Sequence, residues 1–371
     1  MRTGLTRSAI RGLIGEFVLA DLVTERRAPS LGGPGRPSPL VRPNPENAIV
    51  LAFDIAVDSL GVALVGLGGE VLDLARAQRS REQSSLAGTV DQLAGMANAM
   101  LASSRGDIPI GIGVAVAGIV RRSDGFVAMA PNLGWREVPL SAPLAKALDL
   151  PSPISVANEA DLGALAELRR GAAIGADSVL YLSGEVGVGG GLIVDGRLLT
   201  GVAGFGGEVG HMPINPDGIA CQCGSVGCWE TEVGEEALLR LAGHRPDGGW
   251  SEVDAVIAEA RSGAPIALGA FDDVGRWLGV GLAGLVNIFN PRLVVMGGLF
   301  GRIHPLVERS LEAELDRRAL PGSRALVRVV PARLGVDAPL LGAAELAFEP
   351  FLADPAAWLR PRQGRVEGAT A

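Results

Sequence analysis

Short apolar runs separated by polar or glycine turns dominate the chain from residue 48 onward. Apolar runs cover residues 48–57, 61–67 and 70–74, and the turns between them are Asp58-Ser59 and Gly68-Gly69. Turns of this kind join the strands of β-hairpins. The pattern therefore predicts a three-stranded antiparallel meander, followed by a helix over about 85–103 and a buried strand over 108–116.

The same order of elements recurs in the second half of the chain. Strands are predicted over 177–182, 189–194 and 197–199, with a glycine-rich first turn and the tight turn Asp195-Gly196. Helices near 235–242, 250–262 and 265–289 follow, and then a strand over 292–296. We predict an α/β protein with a duplicated unit, whose halves enclose a cleft suited to a small molecule.

Composition and charge narrow the class of protein. The chain has 371 residues, 48% of them apolar, and a net charge of -8, which argues against a surface that tracks nucleic acid throughout. Residues 1–42 differ, because seven arginines against three acidic residues make them net +4 and leave the remainder at -12. No signal peptide or membrane-spanning run is predicted. Three clustered cysteines fit a reducing cytoplasm, where we expect the protein to be located.

The cysteines and one histidine form the most specific chemical signal. They lie within 18 residues, with glycines that permit sharp turns between them. Three thiolates and an imidazole are the ligand set of a structural tetrahedral zinc, and four protein ligands leave no open position for catalysis. The alternative is three small buried thiols and a core histidine. The predicted zinc ligands are His211, Cys221, Cys223 and Cys228.

The run 201–230 that contains this cluster resembles the signature of the ROK family, which comprises sugar kinases and sugar-responsive repressors. The similarity extends from residue 46 to about 345 and includes the Asn290-Pro291 turn before a strand that ends in Gly297-Gly298. The resemblance implies the actin-like, ribonuclease H-like duplicated two-domain ATPase fold. We expect lobes over 45–160 and 161–345, an N-terminal piece with linker over 1–44, and a tail over 346–371 that returns to the N-terminal lobe.

The resemblance also implies a sugar site. Carboxylates accept hydrogen bonds from sugar hydroxyls, and zinc would fix one tautomer of His211 while its other ring nitrogen meets the sugar. Asn132 and Asn158 match family positions as well, although each could equally be a loop asparagine that caps a turn. The sugar contacts implied are Asn132, Asn158, Glu159, Glu208, His211 and Glu230.

Kinase activity is doubtful on the same comparison. The family phosphate loop Asp-x-Gly-Gly-Thr is here Asp54-Ile55-Ala56-Val57-Asp58, so both glycines are lost and an acid replaces the threonine. The catalytic aspartate corresponds to Glu159, whose longer side chain would displace the general base. Asp161 could substitute, but a solvent-facing or capping role is the simpler expectation.

The second glycine-rich loop, over 183–191, is retained in this chain. It is a weak signal alone and could be a tight strand turn kept for the fold. The remaining phosphate-loop positions implied are Gly184, Gly187, Gly189 and Gly298.

The basic N-terminal piece contains a helical apolar spacing over 5–20, with Thr6 as its cap. With the glycine- and proline-rich stretch after it, this piece resembles the recognition helix and wing of a winged helix-turn-helix. The alternative is an amphipathic helix packed on the main domain. The motif normally has two helices upstream, which this chain lacks, so we expect only a partial remnant. The DNA contacts implied are Arg7, Ser8 and Arg11 in the major groove and Arg36 in the minor groove.

These patterns favour a sugar-responsive ROK regulator with a degraded kinase domain. Expected partners are a sugar or sugar-phosphate effector, operator DNA and a second copy of the chain, as a homodimer or homotetramer. Zinc is the expected cofactor. The alternative is an ATP-dependent hexose kinase, which would also need ATP and magnesium, and a third hypothesis is a sugar-binding protein with neither activity.

Overall fold

Two five-stranded sheets with the same strand plan form the body of the molecule. The computed structural model describes residues 4–27, 39–79, 85–104 and 108–356. Its strands are β1 Val23–Arg27, β2 Pro39–Pro43, β3 Ile49–Ile55, β4 Ser59–Gly66, β5 Val71–Gln78, β6 Ile112–Val116, β7 Ile119–Arg121, β8 Phe126–Ala130, β9 Trp135–Pro139, β10 Ile154–Asn158, β11 Val179–Gly184, β12 Val188–Val194, β13 Arg197–Leu198, β14 Leu293–Gly297 and β15 Arg328–Pro331. Its helices are α1 Arg7–Leu19, α2 Leu86–Ser103, α3 Ser141–Leu148, α4 Glu159–Arg170, α5 Glu230–Val233, α6 Glu235–Leu241, α7 Gly249–Arg261, α8 Pro265–Phe289, α9 Gly298–Arg318, α10 Pro321–Arg324 and α11 Ala338–Ala353.

The strand plan of each sheet is an antiparallel meander extended by two parallel strands. In the N-terminal lobe β3 pairs with β4 and β4 with β5, while β6 and β10 continue the sheet on the other side of β3 in parallel. In the C-terminal lobe β11, β12 and β13 form the meander, and β14 and β15 are the parallel strands. The duplicated α/β unit expected from the sequence is confirmed.

Helices α4 and α11 connect the two lobes. Helix α11 covers one face of the N-terminal sheet so closely that a Cβ at Gly113 would lie 1.8 Å from the carbonyl oxygen of Ala343. Helix α4 packs on α11 at Gly342 and also on the C-terminal sheet, where Cβ atoms of α4 meet the glycines of β12. This helix pair therefore contacts both lobes. The tail expected to return to the N-terminal lobe begins at residue 346, but α11 contacts that lobe before this point, at Ala343.

Several elements were not anticipated from the sequence. A three-stranded antiparallel sheet, β7–β8–β9, follows β6 and forms one wall of the N-terminal lobe. Its strands have three to five residues, too short to give a clear alternation of apolar and polar positions. Helix α8 matches the predicted range, whereas β6 begins at Ile112, four residues later than expected.

The N-terminal piece contains the predicted helix followed by a two-stranded antiparallel ribbon of β1 and β2. The Thr6 hydroxyl oxygen accepts a hydrogen bond from the Ala9 amide at 3.3 Å, as expected for a cap. Phe17 and the 2% exposed Leu22 join the apolar cluster around β3 and α11. Leu13 is 42% exposed, so much of the apolar face of α1 is open. Residues 28–38, which include Arg36, are outside the described part of the chain.

Candidate functional site

The histidine and cysteine cluster lies between β13 and α5, on the side of the C-terminal lobe that faces the cleft. Each of the four residues offers one ligand atom, and these four atoms lie within 4.8 Å of one another. The sulfurs of Cys223 and Cys228 are 3.6 Å apart, and the Cys221 sulfur is 3.7 Å from His211 Nδ1. A tetrahedral zinc with bonds of about 2.3 Å requires sulfur–sulfur separations of about 3.8 Å. The donor set and its spacing therefore fit a zinc ion.

Glu230 connects this cluster to a polar pocket. Its Oε1 atom lies 2.8 Å from the Cys221 sulfur and 3.3 Å from His211 Nδ1. A Cβ at Gly187 would lie 2.8 Å from Glu230 Oε2 and 3.4 Å from Asn132 Nδ2. The structure thus brings Asn132 from the β8–β9 connection of the N-terminal lobe next to Glu230 of the C-terminal lobe. Because Nδ1 of His211 faces the sulfurs, its Nε2 is the nitrogen left for a ligand.

Asn158 and Glu159 lie at the start of α4. The Asn158 Oδ1 atom accepts from the Ala160 amide at 2.7 Å and the Asp161 amide at 3.3 Å, and its Nδ2 donates to the Gly118 carbonyl at 2.9 Å. Asn158 is therefore a helix cap whose hydrogen-bonding atoms are engaged within the protein. This cap fixes the position of the following residue, Glu159, at the helix N-terminus.

An acidic cluster occupies the positions where the ROK resemblance implies phosphate binding. Burial, followed by the charges of Glu185 and Asp54, raises the pKa of Glu159 well above its usual value. Burial also raises the pKa of Glu185 to about 8, with the carboxylates of Asp54, Glu235 and Asp58 adding to the effect. The mutual influence of these groups shows that Glu185 belongs to the same cluster. Glu185 is not among the site residues predicted from the sequence, although a carboxylate in a glycine-rich loop is a usable signal.

Asp54 is a buried member of the cluster, at 3% exposure. Its Oδ2 atom lies 3.7 Å from an Arg76 guanidinium nitrogen, and Arg76 also donates to Asp337 Oδ1 at 2.6 Å. Burial raises the pKa of Asp54 to about 6 although the positive charge of Arg76 acts in the opposite direction. At pH 7 the Asp54 carboxylate is thus mainly ionised, whereas the Glu185 carboxyl, with a pKa of about 8, is mainly protonated. Two unit charges about 4 Å apart repel by roughly 4 kcal/mol at an intermediate dielectric, so a polyphosphate beside the ionised Asp54 is disfavoured.

The glycines at the other phosphate-loop positions have packing roles. A Cβ at Gly184 would lie 2.8 Å from the Phe300 ring, and one at Gly189 would lie 2.8 Å from the Ala160 Cβ. Gly298 has a φ of +52°, and its Cβ would lie 2.2 Å from the Gly184 carbonyl oxygen. These close contacts, with side chains at Gly184 and Gly189 and with backbone at Gly298, explain the glycines without any bound phosphate.

Asp161 is neither solvent-facing nor a cap, contrary to the expectation from the sequence. It is 2% exposed, and both carboxylate oxygens are buried without a hydrogen-bond partner. Burial raises its pKa to about 7, the Arg122 charge lowers it and Glu208 raises it further. Its charged neighbours come from both lobes, because Arg122 follows β7 of the N-terminal lobe and Glu208 lies after β13 of the C-terminal lobe.

Known proteins match this chain over most of its length. The model of the ROK family matches residues 50–349, which carry both sheets, the metal ligands and the acidic cluster. The chain belongs to the ROK family. The actin-like fold expected for it is shared by the solved ROK kinases and regulators to which the structure is similar.

Regulators and kinases both appear among the relatives of this ROK protein. It is 32% identical to the xylose repressor of Bacillus subtilis, over 94% of this chain and 90% of the repressor. It is 33% identical to the glucokinase of Streptomyces coelicolor, over 65% of this chain and 81% of the kinase.

The solved structures show the same division. A ROK transcriptional regulator described as a homologue of the Escherichia coli Mlc protein has a TM-score of 0.74 and 27% identity, and the match covers 92% of this chain and 88% of that one. A Streptomyces griseus glucokinase in complex with glucose and AMPPNP has a TM-score of 0.72 and 29% identity, with 81% and 99% covered.

The residues expected to contact DNA are at the exposed surface of α1. Arg7, Ser8 and Arg11 are all exposed in this ROK protein, on a helix that has no fully buried residue.

No described helix combines the length and apolar character needed to span a membrane.

Proposed function

We propose that this ROK protein is a sugar-responsive transcriptional regulator that binds a sugar in its cleft without phosphorylating it. The observation that carries the proposal is the altered phosphate loop, in which both family glycines are replaced, Asp58 stands at the threonine position and the Glu185 carboxyl lies close enough to feel its charge. The similarity to xylose repressors supports it, because it covers 94% of the chain against 65% for the Streptomyces coelicolor glucokinase.

The proposed sugar site is the pocket beside the zinc cluster. Glu230 and Asn132 approach each other from the two lobes. His211 is the last residue of the 3₁₀ turn Val209–His211, and Glu208 directly precedes this turn. Asn158 contributes to the site through its capping bonds, which position Glu159. A sugar hydroxyl that binds Asn158 would have to share its side-chain amide with the Gly118 carbonyl. Because the pocket takes residues from both lobes, a sugar that contacts both would favour a closed cleft.

Zinc is the proposed structural cofactor. His211, Cys221, Cys223 and Cys228 would hold it, and the ion would fix the imidazole in the tautomer that presents Nε2 to the pocket. The ion also requires deprotonated thiols, which would reorganise the short Cys221–Glu230 contact. In this proposal Glu230 is oriented jointly by the metal cluster and the sugar.

The N-terminal piece is the proposed DNA-binding part, within a segment that ends near residue 44, ahead of lobes over 45–160 and 161–345. Arg7, Ser8 and Arg11 on α1 and Arg36 beyond β1 would contact operator DNA, and a homodimer or homotetramer would present two such helices. Sugar-induced closure would change the distance between them.

The test is a titration of the full chain on fluorescent DNA from the region upstream of its own gene, with D-xylose, D-glucose or no sugar. We expect saturable binding that one sugar weakens or strengthens at least fivefold, as expected for an allosteric coupling. Arg11→Ala should reduce DNA affinity about tenfold, whereas Arg245→Ala, at an exposed site on the C-terminal lobe, should not. Binding that no sugar alters, or that both variants alter equally, would contradict the proposal.

The kinase alternative is tested with the same preparation. ADP release with magnesium ATP and either sugar should stay at the level of a protein-free control. ADP release that Glu159→Ala abolishes would establish the hexose kinase instead, as the similarity to a glucokinase bound to AMPPNP would then suggest.

A further inference from the structure

A second pocket, separate from the sugar cleft, lies where four distant parts of the chain meet. Arg122 comes from the β7–β8 turn, Arg169 from the last turn of α4, Arg197 from the start of β13 and Glu349 from α11. The cavity has a volume of about 210 Å³, which corresponds to roughly seven waters at their volume in the liquid. None of the proposed sugar-contacting residues is among those that line it.

The charge of this pocket is opposite to that of the protein. Three guanidinium groups and one carboxylate give it a charge of +2, in a chain whose net charge is -8. Within the described residues, none of these three arginines forms an ion pair with a carboxylate. The neighbouring Arg170, on the same helix, is bonded to Glu345. Clustered guanidinium groups repel each other, so an anion that bridges them is stabilised.

The lining also selects the shape of an anion. Leu165 and Leu168 of α4 supply an apolar wall beside the arginines. Guanidinium groups bind phosphate oxygens through paired hydrogen bonds, and a phosphate monoester carries a charge close to -2 at neutral pH. The pocket therefore matches a small molecule with one phosphate group and a compact, partly apolar body.

From this geometry we infer that the pocket of Arg122, Arg169 and Arg197 is a binding site for a phosphorylated small molecule. The acidic cluster makes the sugar cleft unfavourable for phosphate, so the two sites discriminate between neutral and phosphorylated ligands. The inference does not depend on DNA binding or on the response to a neutral sugar.

The test is isothermal titration calorimetry of the full chain in a chloride buffer with inorganic phosphate, glucose 6-phosphate and glucose as separate titrants. We expect glucose 6-phosphate to bind, and Arg169→Gln and Arg197→Gln each to weaken it at least tenfold. Both side chains are exposed, so these variants should melt at the temperature of the unmodified protein. Arg245→Gln, an equally exposed arginine in the α6–α7 connection, is the matched control and should bind normally.

The three titrants distinguish the source of the phosphate. Equal affinities for inorganic phosphate and the ester, lost in both variants, would assign the site to free phosphate, while preferential binding of the ester would assign it to a phosphorylated metabolite. Absence of binding by both, or binding that Arg169→Gln and Arg197→Gln leave unchanged, would overturn the inference.

Discussion

Removing the charge of Glu185 should stabilise the protein at neutral and alkaline pH. The Glu185 carboxyl lies among Asp54, Asp58, Glu159 and Glu235, and burial together with these charges raises its pKa from 4.5 to about 8. Because the pKa is raised in the folded state, the protonated carboxyl favours the folded protein, and this contribution to the free energy of unfolding is complete below pH 4.5. That contribution is lost as the pH rises towards 8. Glu185→Gln keeps the shape of the side chain but removes the ionisation.

The size of the effect follows from the pKa. One unit corresponds to about 1.4 kcal/mol, so the 2.5 units between 4.5 and pH 7 set an upper bound of about 3 kcal/mol. Because the neighbouring carboxyls also take up protons, we expect about 1–3 kcal/mol. For a lobe of this size that corresponds to a rise in Tm of roughly 2–12 °C at pH 7.5. At pH 5, only half a unit above 4.5, the difference should fall below about 1 kcal/mol, so the two proteins should melt within about 3 °C of each other.

The assay is differential scanning calorimetry of both proteins at half-unit intervals between pH 5 and pH 8. Glu308→Gln, which removes the same charge from an exposed site on α9, is the control and should shift Tm by less than about 1 °C at every pH. A Tm difference between Glu185→Gln and the wild type that does not grow with pH would refute the argument that this carboxyl is part of a buried acidic cluster.

Two further predictions concern the zinc cluster and the core behind it. Cys223→Ser should lower the bound zinc, measured by mass spectrometry, from about one ion per chain. It should also raise about tenfold the sugar concentration needed for the same thermal stabilisation, while His244→Gln should change neither quantity. Unchanged zinc in Cys223→Ser would contradict the assignment. Gly281→Ala should lower stability by about 1–3 kcal/mol in thermal melts, because its Cβ would lie 2.2 Å from the Trp229 ring. Gly284→Ala on the same helix meets no atom within 4 Å and should instead stabilise by up to about 1 kcal/mol, so equal losses would show that helix packing is not the cause.

Features encoded over short stretches were accessible from the sequence. Helix α8 was predicted at both ends because its apolar period runs for 25 residues, and the metal ligands were predicted because they lie within 18 residues of each other. The burial of Asp161 was not accessible, since the loop after β13 approaches it at Gly207 and is itself bonded to Arg122 of the β7–β8 turn. The same holds for the arginine pocket, whose four charged residues are separated by up to 227 positions.

The proposed function requires that this fold keeps a sugar site without phosphate chemistry, and the two sets of residues lie in separate parts of the chain. The proposed sugar contacts depend on the segment between β13 and α5 and on the short connection that carries Asn132. The positions that the resemblance assigns to phosphate instead lie in the turns after β3 and β11, where this chain has Asp58 and Glu185. Substitutions in these two turns leave the zinc ligands and Glu230 in place. They also add negative charge where a nucleotide would bind, so in the proposed function the binding energy of a sugar changes the conformation of the protein without phosphoryl transfer.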